Sequence, residues 1–258
     1  MTARIHPTAI VDSRAELGAN VEVGAWAMIG PDCTIGDDSV IAARATIERN
    51  ARLGQRVKVG MGSIVGGDAQ DLKYRGEAAW VEIGDDTELR EFVTVNRGTA
   101  HSVTTTVGNH CFLMTYSHVG HDCHVGDHVI LSNASQLGGH VVIGDHATIS
   151  GMCAVHQFGR VGRHAFVGGC SRVTSDVPPF VRAVGNPMKL FGLNSVGLQR
   201  KGFEAAVLAE LKRAYRHCFR SELNLSQGIE RARAECADVI EVRQFLEFIE
   251  TSQRGVAF

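Results

Sequence analysis

A six-residue repeat of aliphatic residues runs through most of this chain and limits its fold more than any other feature. Counting from Ile5 to Val173 in steps of six, 26 of the 29 positions hold Ile, Leu or Val. The three exceptions are Asp71, Glu77 and His101. An amphipathic helix has a period of about 3.6 residues and an ordinary strand a period of about 2, so neither produces this pattern. A hexapeptide repeat is typical of parallel β-helices.

A second column of small or β-branched residues lies four positions after the aliphatic one. It holds mostly Ala, Ser, Val or Cys, and glycine often follows the aliphatic residue directly. One large and one small inward residue in every six, with a turn glycine, predicts short strands joined by tight turns. Three such strands close a triangular coil, so residues 5–178 are expected to form roughly ten coils stacked about 4.8 Å apart.

The repeat also explains most of the cysteines. Cys33, Cys111, Cys123 and Cys153 all fall in the small column, which predicts that they pack in the core. The total of 7 cysteines is odd, which argues against a disulfide framework. The other three, which show no metal-ligand spacing, are Cys170, Cys218 and Cys236.

Charge and hydropathy exclude several classes of partner. The formal net charge is −2, so no global charge favours nucleic acid. The first residues have no apolar stretch of the signal-peptide type, and no segment approaches the ~18 apolar residues of a membrane span. We therefore expect a cytoplasmic protein that neither binds nucleic acid nor inserts stably into a membrane.

Changes in periodicity divide the chain. Residues 1–179 are expected to form the β-helix, with loops inserted at 66–80 and 97–106 where the repeat breaks. Val65 and Ile83 are eighteen residues apart, so the first loop is inserted without loss of register. Residues 180–192 are predicted to be a connecting loop, and residues 193–258 a small α-helical domain of three helices that caps one end of the β-helix.

Four histidines are expected to converge on one side of the solenoid. His140 follows His121 by 19 residues and precedes His156 by 16, each close to one coil, and His118 belongs to the same cluster. A histidine titrates near neutral pH, which suits it to general-base catalysis, and Asp122 could orient its imidazole. A plain surface or packing role is predicted for the remaining repeat histidines, His110, His128, His146 and His164.

Several motifs, in order along the chain, resemble those of the UDP-N-acetylglucosamine 3-O-acyltransferases, hexapeptide-repeat acyltransferases of lipid A synthesis. The motifs are Gln70-Asp-Leu-Lys-Tyr, Asn96-Arg-Gly-Thr, His118-Val-Gly-His-Asp-Cys, Gly138-Gly-His, Ala154-Val-His-Gln-Phe and Gly197-Leu-Gln-Arg-Lys-Gly-Phe. The resemblance covers nearly the whole chain. It implies a mainly β fold, a left-handed parallel β-helix with a C-terminal α-helical domain. It also implies a homotrimer with active sites between subunits.

The resemblance further implies a reaction and roles for individual residues. His121 would remove the proton from the 3-hydroxyl of UDP-N-acetylglucosamine, Asp122 would assist it, and the Gly139 N–H would stabilise the oxyanion. The donor would be an (R)-3-hydroxyacyl chain on acyl carrier protein, with no cofactor beyond the donor's phosphopantetheine and no metal. The implied substrate-binding residues are Asp71, Lys73, His118, His140, His156 near the nucleotide, Gln157 and Arg200 at the diphosphate. Gly169 would line the groove for the acyl group and favour a longer acyl chain.

Acyl carrier protein is acidic, so a basic surface is expected to receive it. Basic residues of the later coils and the tail supply a candidate surface: Arg160, Arg163, Arg172, Arg182, Lys189, Arg200 and Lys201. Pro187 replaces a polar residue that some family members place near the nucleotide base, and Tyr116-Ser117 replaces the expected Asn-Ala.

Three alternatives stay open at the level of sequence. The same chemistry could act on a 3-amino sugar nucleotide or on a different nucleotide sugar. His118, His121 and His140 could instead form the zinc site of a trimeric β-helix carbonic anhydrase. That chemistry does not require the loop with Asp71 and Lys73 or the helical tail. The third alternative is a non-catalytic scaffold, which has no need of converging histidines.

Overall fold

A computed structural model describes residues 2–258 of the chain. Its 28 strands, numbered in chain order, form three sheets, and the strands of the β-helix pair in parallel. The first sheet contains β1 (Arg4–Ile5), β4 (Glu22–Val23), β7 (Val40–Ile41), β10 (Lys58–Val59), β13 (Glu88–Leu89), β16 (Phe112–Leu113), β19 (Ile130–Leu131), β22 (Thr148–Ile149), β25 (Phe166–Val167), β27 (Val181–Gly185) and β28 (Met188–Leu193). The second contains β2 (Ile10–Val11), β5 (Met28–Ile29), β8 (Thr46–Ile47), β11 (Ile64–Gly67), β14 (Thr94–Asn96), β17 (His118–Val119), β20 (Gln136–Leu137), β23 (Ala154–Val155) and β26 (Arg172–Val173). The third contains β3 (Glu16–Leu17), β6 (Thr34–Ile35), β9 (Ala51–Leu53), β12 (Trp80–Ile83), β15 (Thr104–Val107), β18 (His124–Val125), β21 (Val142–Ile143) and β24 (Arg160–Val161).

The two columns of the repeat form the core of this triangular solenoid. From Val23 to Val173, every aliphatic residue of the repeat is at most 3 % exposed. Burying such a side chain contributes about 1.5–3 kcal/mol, and successive coils add their layers to one continuous core. The four cysteines of the small column are also buried, which confirms their predicted packing role.

The three breaks in the repeat fall in two loops at one corner of the solenoid. Val65 pairs with Val95, 30 residues later, and Val95 pairs with Val119, 24 residues later, whereas uninterrupted coils pair residues 18 apart, as in Arg4 and Glu22. The loops thus add twelve and six residues, whole multiples of the repeat. The inward pattern therefore resumes in frame after each of them.

The segment 180–192, predicted as a connecting loop, forms a β-hairpin. β27 pairs in parallel with β25 and extends the first sheet, and β28 returns antiparallel to it. The physical reason is a change of period, because Val181 and Ala183 alternate with Arg182 and are completely buried. The hairpin therefore continues the sheet past the point where the hexapeptide pattern ends.

Four helices follow the hairpin, one more than predicted. They are α1 (Ser195–Arg200), α2 (Ala205–Phe219), α3 (Leu225–Glu235) and α4 (Ile240–Glu250). α2 packs against α3, α4 and β28, and α3 begins with a capping box made by Asn224 and Gln227. Across residues 2–258, no helix combines the length and the apolar character needed to cross a membrane.

Four of the repeat histidines form a stack at another corner of the solenoid. The rings of His110, His128, His146 and His164 lie on successive coils with centroids 4.6–4.9 Å apart. His164, at the covered end, also contacts the rings of Phe180 and Phe203. Its burial, together with the positive charges near it, lowers the pKa of His164 to about 4. The packing role predicted for these histidines is thus confirmed for the buried His164.

We expect the buried His164 to make the fold weaker in mild acid. The unfolded chain binds this proton below a pKa of about 6.5, whereas the folded chain binds it only near pH 4. Its contribution is therefore complete above pH 6.5 and is lost as the pH falls towards 4, by roughly 2 kcal/mol between pH 7 and pH 4.5. His164→Phe should remove this component, as measured by urea unfolding at both pH values and equal protein concentration. His110→Phe, at the exposed end, is the control, and an equal response in both variants would contradict the prediction.

Candidate active site

Three neighbouring coils of the second sheet form the wall of a cavity of about 380 Å³. His118 on β17 pairs with Gln136 on β20, which pairs with Ala154 on β23, so their side chains leave the same face. The chain then turns a corner after each strand, which places further polar groups beside that face. The lining includes His118, His121, Gly139, His156 and Gln157, all predicted site residues, and Gln70 from the first inserted loop.

The centre of the wall is a hydrogen-bonded pair, His121 and Asp122. His121 Nδ1 lies 2.8 Å from Asp122 Oδ2, and the two residues are 8 % and 2 % exposed. Adjacent residues can face one another here because Asp122 occupies the corner with a φ of 58°. The carboxylate can therefore hold the proton on Nδ1, which leaves Nε2 of His121 as the nitrogen able to accept a proton.

The second inserted loop surrounds the Asp122 carboxylate with donors. Oδ1 accepts the Ser102 hydroxyl at 2.6 Å and the Thr99 backbone N–H at 2.9 Å, and Oδ2 accepts the Thr99 hydroxyl at 2.8 Å. Burial raises the pKa of Asp122, but the hydrogen bonds from His121, Ser102 and Thr99 outweigh it and hold the pKa well below its usual range. Asp122 is thus a fixed negative charge that does not take up the proton itself.

Thr99 and Ser102 were not among the predicted site residues. The sequence predicted an inserted loop at 97–106, but nothing in the period showed that its hydroxyl groups turn inward to Asp122. The available signal was compositional, because residues 99–106 contain five Ser or Thr residues. Such residues are frequent donors to buried carboxylates.

Gly139 lies against the imidazole of His121. A Cβ built on Gly139 would be 2.5 Å from both Cε1 and Nε2 of that ring, so any side chain here would displace the histidine. Within residues 2–258, the Gly139 N–H donates no hydrogen bond to another protein group, although the neighbouring His140 N–H donates to the His121 carbonyl. A free backbone donor therefore lies next to the reactive edge of His121.

The imidazole of His140 packs beside the pair. It is edge-on to His121 at 5.0 Å and stacked on Phe158 at 4.3 Å, and His101 from the second loop meets it edge-on at 4.7 Å. Burial lowers the pKa of His140, which favours the neutral ring. His121, Asp122 and His140 offer ligand atoms within 4.8 Å of one another, the type of group that could hold a metal ion. The predicted zinc alternative named His118 instead of Asp122, and His118 is outside this group.

Two further histidines, His118 and His156, belong to the wall. His118 Nδ1 lies 2.7 Å from the Thr94 hydroxyl, and burial lowers its pKa. His156 is exposed, and its Nδ1 lies 3.3 Å from the guanidinium of Arg254 in the C-terminal tail. Both rings line the cavity, so both can contact a molecule bound there.

The first inserted loop contributes one residue to the cavity. Gln70 lines the cavity, whereas Asp71 and Lys73 lie outside the lining and Lys73 is exposed. Asp71 accepts the Lys73 backbone N–H at 2.9 Å. The loop thus contributes Gln70 to the lining, with Asp71 and Lys73 within three residues of it.

Two predicted site residues lie apart from this cavity. Arg200 lines a second groove of about 680 Å³ with Phe191 and Asn194, and the two cavities share no lining residue. Gly169 is exposed on a later coil, and a Cβ there would meet only the Gly151 carbonyl, at 3.5 Å. A single chain therefore does not bring Arg200 or Gly169 into contact with His121.

Two family models match parts of this chain, and known proteins match nearly all of it. The model "Bacterial transferase hexapeptide (six repeats)" matches residues 14–49 and 104–138, and "Udp N-acetylglucosamine O-acyltransferase; Domain 2" matches residues 176–257. The acyl-[acyl-carrier-protein]–UDP-N-acetylglucosamine O-acyltransferase of Sulfurihydrogenibium sp. is 54 % identical over 98 % of this chain and 94 % of its own length. The enzyme of that name from Syntrophobacter fumaroxidans is 45 % identical, over 98 % and 99 %.

Solved structures of such enzymes have the same fold. The UDP-N-acetylglucosamine acyltransferase of Bacteroides fragilis superposes with a TM-score of 0.97 at 37 % identity, covering 98 % of this chain and all of that one. The Francisella novicida enzyme gives a TM-score of 0.95 at 33 % identity, covering 98 % and 93 %. The predicted fold class, a left-handed parallel β-helix with a C-terminal helical domain, is thereby confirmed. With a relative more than half identical over nearly its whole length, the chain belongs to the family of UDP-N-acetylglucosamine O-acyltransferases.

Proposed function

We propose that this chain transfers an (R)-3-hydroxyacyl group from acyl carrier protein to the 3-hydroxyl of UDP-N-acetylglucosamine, the first step of lipid A biosynthesis. The observation that carries the proposal is the His121–Asp122 pair, at 2.8 Å, in the wall of a cavity. The relatives that share the chain's full length are named for this donor and this acceptor. An acyl transfer to a hydroxyl group needs a base of this kind.

The arrangement of the wall supports a direct transfer. Nε2 of His121 takes the proton of the sugar 3-hydroxyl while that oxygen attacks the thioester carbon. The negative charge that develops on the thioester oxygen is stabilised by the free N–H of Gly139, a contribution of about 3 kcal/mol for such donors. The carbon–sulfur bond then breaks, and His121 returns its proton to the phosphopantetheine sulfur. Asp122 stabilises the imidazolium throughout, and no covalent enzyme intermediate is formed.

The remaining groups around the pair are assigned to substrate binding. His118, His140 and Gln157 hold the sugar and the acyl 3-hydroxyl, and Asp71 and Lys73 approach them from the loop. Neutral imidazoles can both donate and accept hydrogen bonds, which suits His118 and His140 to sugar hydroxyl groups. His156, at the exposed end of the lining, is assigned to the nucleotide region.

The separation of the two cavities supports an active site shared between copies. The diphosphate requires a cation, and Arg200 lies in a groove that shares no residue with the histidine wall. We assign Arg200 of a neighbouring copy in a homotrimer to the diphosphate. The neighbouring copy would supply the second side of a cleft, of which one chain forms only one wall. Gly169 leaves space along the same face for a longer acyl chain.

Family members are named for two substrates, acyl-[acyl-carrier-protein] and UDP-N-acetylglucosamine. We assign the docking of the acidic carrier protein to the basic residues of the later coils and the helical domain. Both substrates are water-soluble, and we place the reaction in the cytoplasm with no metal and no cofactor apart from the donor's phosphopantetheine.

The test is a mass-spectrometric assay of the purified protein. It would be mixed with UDP-N-acetylglucosamine and a panel of (R)-3-hydroxyacyl carrier proteins of different chain length. We expect one new 3-O-acylated sugar nucleotide, with the largest yield from a longer chain. If only the 3-amino analogue of the sugar nucleotide gave product, the acceptor in the proposal would be wrong. If neither sugar nucleotide gave product, the whole proposal would be overturned.

A further inference from the structure

Arg97 is a buried cation at the base of the first inserted loop. Its side chain is 1 % exposed, which is unusual for arginine because removing a charge from water costs several kcal/mol unless partners compensate. Arg97 directly follows β14 and precedes Gly98 and Thr99, the start of the loop that surrounds Asp122. It therefore lies where the two inserted loops leave the solenoid side by side.

The hydrogen-bond partners of the Arg97 side chain lie in the first loop, two near its beginning and one, Tyr74, near its middle. Its guanidinium donates to the Gly66 carbonyl, to Asp68 Oδ1 and, at 3.1 Å, to the Tyr74 hydroxyl. The backbone N–H of Arg97 donates to the Gly67 carbonyl at 2.8 Å. One side chain thus ties together three separate points of the 66–80 loop.

The other contacts of this loop include two hydrogen bonds from the second loop and its strand: the Asn96 side chain donates to the Asp68 carbonyl at 2.7 Å, and the Ala100 N–H donates to Glu77 at 3.3 Å. None of residues 70–78 is buried, Leu72 is 98 % exposed, and a Cβ on Gly76 would meet no atom within 4 Å. Polar contacts at its base therefore fix its position, because an apolar anchor is missing between residues 70 and 78. Yet Gln70 lines the histidine cavity, and Asp71 and Lys73 lie within three residues of it along the loop, so the position of the loop matters to the site.

We propose that Arg97 is a positioning residue for the acceptor: it holds the 66–80 loop so that Gln70, Asp71 and Lys73 face the sugar nucleotide. The inference rests on the proposed function and assigns part of sugar recognition to a side chain that does not touch the cavity. Its effect should fall on the binding of UDP-N-acetylglucosamine. Chemistry at His121 and binding of the acyl carrier protein should change much less.

The chain offers a matched control for this test. Arg49 also binds Asp68 Oδ1, at 3.1 Å, but its side chain is 49 % exposed and it reaches neither Gly66 nor Tyr74. Arg49→Gln removes one arginine from the same carboxylate without releasing the loop. Exposed ion pairs of this kind are typically worth less than about 1 kcal/mol.

The experiment compares steady-state kinetics and hydrogen exchange of the full-length protein and its variants. We expect Arg97→Gln to raise the KM for UDP-N-acetylglucosamine about tenfold or more, with the KM for the acyl carrier protein changed less than about twofold. Amide exchange should accelerate in residues 68–79 but not in β17 or β20. Arg97→Lys should recover part of the sugar affinity because it keeps the charge beside Asp68, and Arg49→Gln should match the unmodified protein.

Tyr74→Phe is a second variant that tests the proposal even if Arg97→Gln fails to fold. It removes one contact of the guanidinium without unpairing a buried charge, and it should raise the sugar KM about threefold. Equal losses for both substrates, or an unchanged sugar KM in an active Arg97→Gln enzyme, would overturn the assignment of Arg97 and leave the proposed function intact. An unmodified protein that forms no acylated sugar would overturn both.

Discussion

Replacing His121 with alanine is expected to lower kcat by about three orders of magnitude and to leave the fold and the assembly unchanged. The substitution removes the nitrogen that accepts the proton of the sugar hydroxyl. The chain has no second imidazole paired with a buried carboxylate at hydrogen-bonding distance, within the residues from 2 to 258. The ring also occupies the edge of the cavity and not the aliphatic core, so the loss of stability should be small.

The matched control for this experiment is His124→Ala. His124 directly follows the motif that contains His121 but is exposed on the third sheet, where its Nδ1 lies 3.0 Å from the Thr106 hydroxyl. Turnover should be measured with saturating substrates, and assembly by light scattering. A His121→Ala protein that kept more than about a tenth of normal turnover would show that another group is the base.

Asp122→Asn is expected to lower kcat by about 10²-fold or more, although it changes only one atom of the side chain. The carboxylate accepts hydrogen bonds from Thr99, Ser102 and His121, and both of its oxygens act as acceptors. An amide has one accepting oxygen and one donating NH₂ group. The NH₂ group must therefore either face the donors of Thr99 and Ser102 or donate to Nδ1 of His121. The second arrangement places the proton on Nε2, the wrong nitrogen for a base.

The same substitution should weaken the fold, because a buried donor then loses its partner, at a cost of about 1–3 kcal/mol. The control is Asp127→Asn, a more exposed aspartate whose Oδ1 accepts the Asn109 backbone N–H. It should retain normal turnover. If Asp122→Asn retained turnover comparable to that control, orientation of His121 by the carboxylate would not contribute to catalysis.

The β-helix was predictable because its pattern is local and repeated. Each coil places Ile, Leu or Val inward at the same six-residue step. A single position that departs from the pattern therefore does not obscure it, because the neighbouring coils repeat it. The hairpin at 180–192 was missed because only three of its residues, Val181 to Ala183, show a period of two. α1 was missed because six residues are too few to show helical periodicity.

The candidate site could be located from sequence but not assembled from it. The spacing of His121, His140 and His156 by about one coil places them on one side, and the cavity includes the first and the last of these. The contacts that give the pair its chemistry come from Thr99 and Ser102, which stand about twenty residues earlier in a loop outside the repeat. No spacing rule relates an inserted loop to the coil below it.

The sequence by itself determined the solenoid, its buried columns and the face that bears the histidines, because these follow from a period that each coil repeats. Only the tertiary structure decided that Asp122 faces His121, that Thr99 and Ser102 keep it charged, and that Arg97 fixes the neighbouring loop. The first depends on the corner conformation of Asp122, and the others depend on hydrogen bonds between residues one coil or more apart. Their geometry arises when the coils stack, and it leaves no periodic trace in the chain.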